Sequence, residues 1–158
     1  MNQVIEELME YEDYLEQYSN MVTRICLVHT GNFHDAQDCY QNVFFALYKQ
    51  LKKEKPRNVK AWLVTVSINE CKRCMRFRLG ISSLQLDELV LPTFNDNDTE
   101  MIKLIMELPA KHRDAVYLHY YEGYSVAEIA SIMDAREGTI KSYLKRGRDK
   151  LRKFLTQD

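Results

Sequence analysis

Cys71-Lys72-Arg73-Cys74 is a stretch whose residue types and spacing could do chemistry. A CxxC either helps hold zinc or cycles as a dithiol. A zinc site needs about four ligands, usually from two paired knuckles. This chain has no second CxxC, and its four histidines are scattered. The pattern around Cys71 is continuously helical, with no loop to fold around a metal. Cys26, Cys39, Cys71 and Cys74 therefore read as buried or half-buried thiols, with a redox pair as the alternative. Asp96 and Asp98 hint at calcium, but the loop glycine and closing glutamate of such a site are missing. No nucleophile–base pair is recognisable. The expectation is a protein that is not an enzyme, with no metal and no cofactor.

The chemistry that remains is charge. The formal net charge is −1, but it is unevenly spread. Residues 1–48 carry net −7, 49–80 net +8, 81–107 net −5 and 108–158 net +3. Alternating blocks of this size point to separate surfaces with separate partners. The basic blocks suit a polyanion, and the acidic first block suits a basic protein surface or solvent. Met1 to Gln17 holds six acidic residues and no basic one, the wrong sign for a secretory leader. The apolar runs are only a few residues long, too short to span a bilayer. The chain is expected in the cytoplasm, without membrane insertion.

The elements that must carry these charges are helical. Tyr14, Leu15, Tyr18, Val22, Ile25 and Cys26 recur at three- and four-residue steps. Gly31-Asn32 breaks that helix, and Asp35 sits in the first turn of the next, where the helix dipole favours a carboxylate. Ala36, Cys39, Tyr40, Val43, Phe44, Leu47 and Leu51 form one apolar stripe. Lys52 to Val59 is a basic connector containing Pro56. A third helix is predicted from about Asn58 to Leu79, with Trp62, Leu63 and Val66 inward and Gly80 as its stop. Residues 81–99 read as a linker, Glu100 to Leu108 as a short helix, and Pro109 as the first position of the next.

The chain closes on two helices. Ser125-Val126-Ala127-Glu128 fits a capping box, in which Ser and Glu each satisfy a free amide of the first turn. Asp134 falls at the break, where a left-handed residue is needed, and Asp tolerates that conformation better than most. In the last helix Ile140, Leu144, Gly147, Leu151 and Leu155 lie within about 80° of arc at about 100° per residue. Ser142, Lys145 and Arg146 lie opposite, with Lys141 and Arg152 on the flank. This is a helix-turn-helix whose second helix fits a major groove. Its Lys and Arg suit phosphates or guanine. The competing reading is an amphipathic pair with a solvated basic face; the capping box, the short break and the glycine at the packing contact weigh against it.

Leu108-Pro109, Tyr121-Glu122-Gly123-Tyr124-Ser125, Glu128-Ile129-Ala130 and Glu137 to Ser142 through Lys150-Leu151-Arg152 closely resemble region 4 of bacterial sigma factors. The match is best to the small extracytoplasmic-function (ECF) group. Asp35 to Phe44 resembles region 2.2, and Ala61-Trp62-Leu63 with Asn69 resembles regions 2.3 and 2.4. The resemblance implies an all-α protein: region 2 over 1–80, a linker over 81–99 and region 4 over 100–158. It implies docking on core RNA polymerase, promoter −10 and −35 recognition, and restraint by an anti-sigma factor. Asp38, Gln41, Asn42 and Phe45 match the polymerase-binding surface. Lys55, Arg57 and Asn58 fall in the loop that captures a flipped −10 base, and Asn69, Lys72, Arg73 and Arg76 match the −10 helix. Arg136, Thr139, Lys141, Ser142, Lys145 and Arg146 match the −35 readers.

The chain departs from the family pattern in places. Asn42 stands where an acid is usual, Ile68 where Arg is common and Arg73 where Asp is common. Arg136 replaces a Ser or Thr cap, and Tyr143 a frequent Arg. Lys55-Pro56-Arg57-Asn58 replaces a glycine-containing loop, and Trp62 reads as core rather than a DNA wedge. The alternative function is a stand-alone helix-turn-helix regulator that does not load polymerase; it would have little use for the Asp38–Gln41–Phe45 surface.

Overall fold

The computed structural model describes residues 2–76 and 96–156, with no strand among them. The helices are α1 (Asn2–Thr30), α2 (Phe33–Lys53), α3 (Val59–Arg76), α4 (Asp96–Met106), α5 (Ala110–Val116), α6 (Val126–Met133) and α7 (Glu137–Thr156). A π-helical turn, Tyr117–Tyr121, continues α5. The chain divides into two units, Met1–Gln85 and Leu86–Asp158. The expected stop at Gly80 and most of the expected linker lie outside the described residues. The last part of that linker, Asp96 to Thr99, is instead the first turn of α4.

In the first unit α1, α2 and α3 pack on one another around Val22, Ile25, Val28, Val43, Leu47, Leu63, Val64 and Ile68, all completely buried. Burying such side chains contributes about 1.5–3 kcal/mol each relative to exposure. Gly31, at φ 65°, turns the chain between α1 and α2. Asn32 then caps α2, its side chain accepting from the Asp35 amide at 3.1 Å. Asn58 does the same for α3, its Oδ1 accepting from the Ala61 amide at 3.0 Å. Tyr11 Oη donates to the Phe44 carbonyl at 3.1 Å, and Ser19 shares a 2.9 Å hydrogen bond with Tyr40. Leu63 is inward as expected, but Trp62 and Val66 are only half-buried. They lie on the rim of the interface, so the expectation of Trp62 as core is corrected.

In the second unit α4, α5 and α6 pack against α7. The apolar contact is formed by Ile102, Ile105, Leu108, Val116, Leu118, Ile129, Ile140 and Leu144, all buried. Pro109 is the residue before the first helical position of α5, one place earlier than the sequence suggests. The π turn leaves no mark on the helical periodicity of the sequence. The Glu122 amide reaches back five residues to the Tyr117 carbonyl at 3.3 Å. The extra residue buries Tyr117, whose hydroxyl donates to Glu122 Oε1 at 2.6 Å, and leaves Tyr120 exposed. Widened turns of this kind are rare and occur mostly as single turns within α-helices. Here the Tyr117 and Tyr121 rings stack 5.4 Å apart.

Candidate nucleic-acid and partner interfaces

The helix-turn-helix is held at both ends of α6. The Glu128 amide donates to Ser125 Oγ at 3.1 Å, and the Ser125 amide donates to Glu128 Oε1 at 3.2 Å, closing the capping box. At the other end Asp134 is left-handed, with φ 51° and ψ 55°. The Ala135 amide reaches the Ala130 carbonyl at 2.9 Å, the long bond of a Schellman stop. The turn after α6 is thus closed by backbone hydrogen bonds and a left-handed Asp134.

α7 meets the rest of its unit through Ile140, Leu144 and Gly147, which are buried. Leu151 is half-buried, and Leu155, expected on the same stripe, is 57% exposed. The helix therefore outruns the layer it packs on. Arg136, Lys141, Lys145 and Arg146 are exposed; Thr139 and Ser142 are half-buried. Arg148 is different: it donates to Tyr120 Oη at 2.8 Å and so ties α7 to the π turn. His112, on α5, lies with its ring centroid 5.4 Å from that of Tyr143, the two planes tilted by 43°. Burial, then the charges of Arg146 and Lys150, hold its pKa below the usual imidazole value. Lys150 thus belongs to the same positive field, a residue the sequence reading left out although it lies in the same basic run.

On α2, Asp38, Gln41, Asn42 and Phe45 are all exposed while Ala36, Cys39, Val43, Phe44 and Leu47 are buried. One face of the helix is core and the other is available. Phe45 is 58% exposed, a large apolar surface left in water. Lys49, one turn on, places Nζ 4.6 Å from its ring centroid. Lys49 also lines a surface recess of about 470 Å³ with Ala46, Gln50, Lys52, Lys53 and Trp62. Periodicity shows only that Lys49 is outward; its place beside both Phe45 and Trp62 needs the packing of α2 on α3.

The −10 candidates are less uniform. Lys55, Arg57, Asn58, Asn69, Lys72 and Arg73 are exposed, and Arg76 ends α3. Three of them have other work. The Asn58 side chain caps α3. Arg73 pairs with Glu70 at 2.8 Å. Lys55 pairs with Glu10 of α1 at 2.6 Å and lies 5.6 Å from the Tyr14 ring. The hydrogen bond from Lys55 holds the Glu10 carboxyl below the usual range, and Glu10 in turn raises the Lys55 ammonium. The connector is therefore pinned to α1 by a solvent-exposed pair of modest strength. Among the described residues no group of His, Cys, Asp and Glu is arranged to hold a metal ion.

A helical chain in two units, one ending in a capped helix-turn-helix with a cationic outer face, defines a class of DNA-binding transcription proteins. Comparison narrows the class: sigma-70 region 2 matches residues 14–78, and sigma-70 region 4 matches residues 98–151. The ECF RNA polymerase sigma factor SigE of Mycolicibacterium smegmatis is 26% identical over 93% of this chain, which spans 62% of that protein. SigW of Bacillus subtilis is 26% identical over 92% of this chain and 88% of its own length. SigM of the same organism is 29% identical, covering 91% and 94%. The fold is shared with the sigma factor RpoE of Bartonella quintana, solved with the anti-sigma factor NepR. That likeness has a TM-score of 0.77 at 24% identity, over 94% of this chain and 98% of that one. CnrH, solved with the cytosolic domain of CnrY, gives 0.70 at 20%, over 94% and 88%. The chain belongs to the sigma-70 family, in its ECF group.

Proposed function

We propose that this sigma factor docks on core RNA polymerase and directs it to promoters by recognising −10 and −35 elements. The observation that carries the reading is one chain with two unlike exposed faces. The α2 face is polar with one bare aromatic, suited to a protein. The α7 face is cationic and mounted on a rigid helix-turn-helix, suited to a major groove. A stand-alone regulator would use only the second.

In this reading residues 1–80 are region 2, 81–95 the linker and 96–158 region 4, which opens with α4. Asp38, Gln41, Asn42 and Phe45 meet the polymerase, with Phe45 as the buried anchor such interfaces favour. Lys55, Arg57, Asn58, Asn69, Lys72, Arg73 and Arg76 face −10 DNA. Asn58 acts there by shaping the connector, since its side chain caps α3. The recess beside Trp62 supports base stacking between an indole and lysines. Arg136, Thr139, Lys141, Ser142, Lys145 and Arg146 face the −35 element. The polymerase performs the chemistry, and this chain supplies address and strand opening. An anti-sigma factor is the further partner we infer, on the likeness to the RpoE and CnrH folds solved with their partners.

The test is capture by bacterial core RNA polymerase, comparing the wild-type chain with Gln41→Ala, Phe45→Ala. Both residues are exposed, so the variant should fold. Capture of the wild type and loss with the variant is the expected result. Folded wild-type protein that is not captured, yet shifts promoter DNA alone, would return the reading to a stand-alone regulator.

A further inference from the structure

Arg148 and Tyr120 belong neither to the −35 face named above nor to the core of the second unit. Arg148 Nη1 donates to Tyr120 Oη at 2.8 Å, across 28 residues of sequence. Both side chains are exposed, so packing does not explain the pair. Tyr120 is nonetheless held in place. The π turn, closed by the Glu122 amide on the Tyr117 carbonyl at 3.3 Å, leaves it outward. Its ring meets the His119 ring edge-on, with centroids 4.8 Å apart and planes at 81°. His119 is itself fixed: its Nδ1 lies 2.7 Å from the Tyr124 carbonyl oxygen, an acceptor, and so donates to it. π turns of this kind are frequent at functional sites.

Arg148 also stands in a row of cations. At about 100° per residue, Lys141, Lys145, Arg148 and Arg152 fall within about 60° of arc on one side of α7. Arg152 is loosely paired with Asp149 at 3.8 Å. Arg148 has no acid at salt-bridge distance among the described residues. One of its N–H groups is given to Tyr120, and the others are left to solvent. The tyrosine oxygen accepts that bond, which leaves its own O–H to donate and strengthens it as a donor. A guanidinium and a hydroxyl thus offer donors side by side at one exposed point.

We propose that Arg148 and Tyr120 bind one backbone phosphate of duplex DNA. This rests on the proposed seat of α7 in a major groove, and it extends that face past Arg146 to the rim where the helix meets the sugar–phosphate strand. Arg and Tyr are both regular phosphate partners, and such contacts fix register without reading sequence. Arg148 supplies the charge, and its N–H groups make charge-assisted bonds to phosphate oxygens. Tyr120 supplies position: a long side chain loses freedom when it binds, and the hydroxyl holds the guanidinium before DNA arrives.

The experiment titrates the full-length chain into a fluorescent random-sequence duplex, by anisotropy, from low to moderate salt. Arg148→Gln should weaken binding and flatten the slope of log K against log salt by about 0.9. Tyr120→Phe keeps the ring and the charge. It should leave the slope unchanged and still weaken binding about two- to tenfold, the span of one hydrogen bond. Combined, the two should cost less than the sum of their separate effects. Both positions are exposed, so each variant should melt within about 4 °C of the wild type. If Tyr120→Phe binds as the wild type does, or loses stability rather than affinity, the pair is a structural tie and the proposal is overturned. Weakened binding by Lys145→Ala, Arg146→Ala in the same titration would then leave the α7 reading standing. A wild-type chain with no affinity for duplex at low salt would overturn both.

Discussion

Replacing Gly147 by alanine isolates the contact on which the helix-turn-helix rests. A Cβ built there lies 2.5 Å from Val116 Cγ2, 3.6 Å from Leu108 Cδ1 and 3.8 Å from the His112 carbonyl oxygen. Ordinary carbon contacts are about 3.5–4.0 Å, so the first is short by about 1 Å. Val116 is 1% exposed and β-branched, and in a helix such a side chain has essentially one rotamer. The strain must therefore separate α5 from α7, at about 1–3 kcal/mol for overpacking. Alanine in mid-helix returns about 1 kcal/mol of propensity. The net is a loss of up to about 2 kcal/mol, or up to roughly 15 °C in the melting of a unit this size. Gly138, near the start of the same helix, has nothing within 4 Å of an added Cβ. Gly138→Ala should raise the same transition. Scanning calorimetry of the full chain with each variant gives the comparison. If Gly147→Ala stabilises as Gly138→Ala does, the close approach of α7 to α5 is wrong.

Other consequences are more local. Lys145→Ala, Arg146→Ala should weaken promoter binding and flatten the slope of log K against log salt by about 2, near 0.9 per phosphate contact; anisotropy titrations between low and moderate salt measure it. Ser125→Ala removes one arm of the capping box and should cost the second unit about 1 kcal/mol, read by urea unfolding. His112 has a pKa below its unfolded value, so its contribution to stability is full above that value, about 6.5, and is lost as pH falls through the folded pKa. DNA phosphates beside Arg146 and Lys150 would relieve that repulsion, so binding should take up a proton and tighten from pH 7.5 to 6, and His112→Gln should flatten the profile.

Much of this was legible because the signals were local. The break at Gly31-Asn32, the Ser125–Glu128 box and the left-handed Asp134 each depend on a few neighbouring residues, and sequence states them directly. Gly147 was legible too, since a glycine in an apolar stripe has few uses other than close approach. The misses share a different physics. The π turn depends on how Tyr117, Tyr121 and Leu118 fill space against other helices, and helical periodicity does not report it. Trp62 is apolar by type, yet it is half-buried and lines a surface recess with Lys49, Lys52 and Lys53. Lys55 and Arg73 match DNA-facing positions, and Glu10 and Glu70 pair with them. The first partner is far away in sequence and could only be found by folding α1 onto the connector.

Those ion pairs bear on how a chain of net charge −1 approaches a polyanion. Exposed pairs contribute little to stability, usually under about 1 kcal/mol. Their effect on the field is larger: Glu10 and Glu70 each cancel a cation on the first unit, while Lys141, Lys145 and Arg146 have no acid at salt-bridge distance among the described residues. Non-specific DNA affinity grows with the number of phosphates neutralised. A first unit whose cations are partly masked, in a chain of almost no net charge, holds that affinity down when the protein is alone. Removing Glu10 should then strengthen binding to random duplex without improving promoter choice. If Glu10→Gln leaves random-duplex affinity unchanged at low salt, the pairing with Lys55 is structural only, and the charge balance of the first block has another cause.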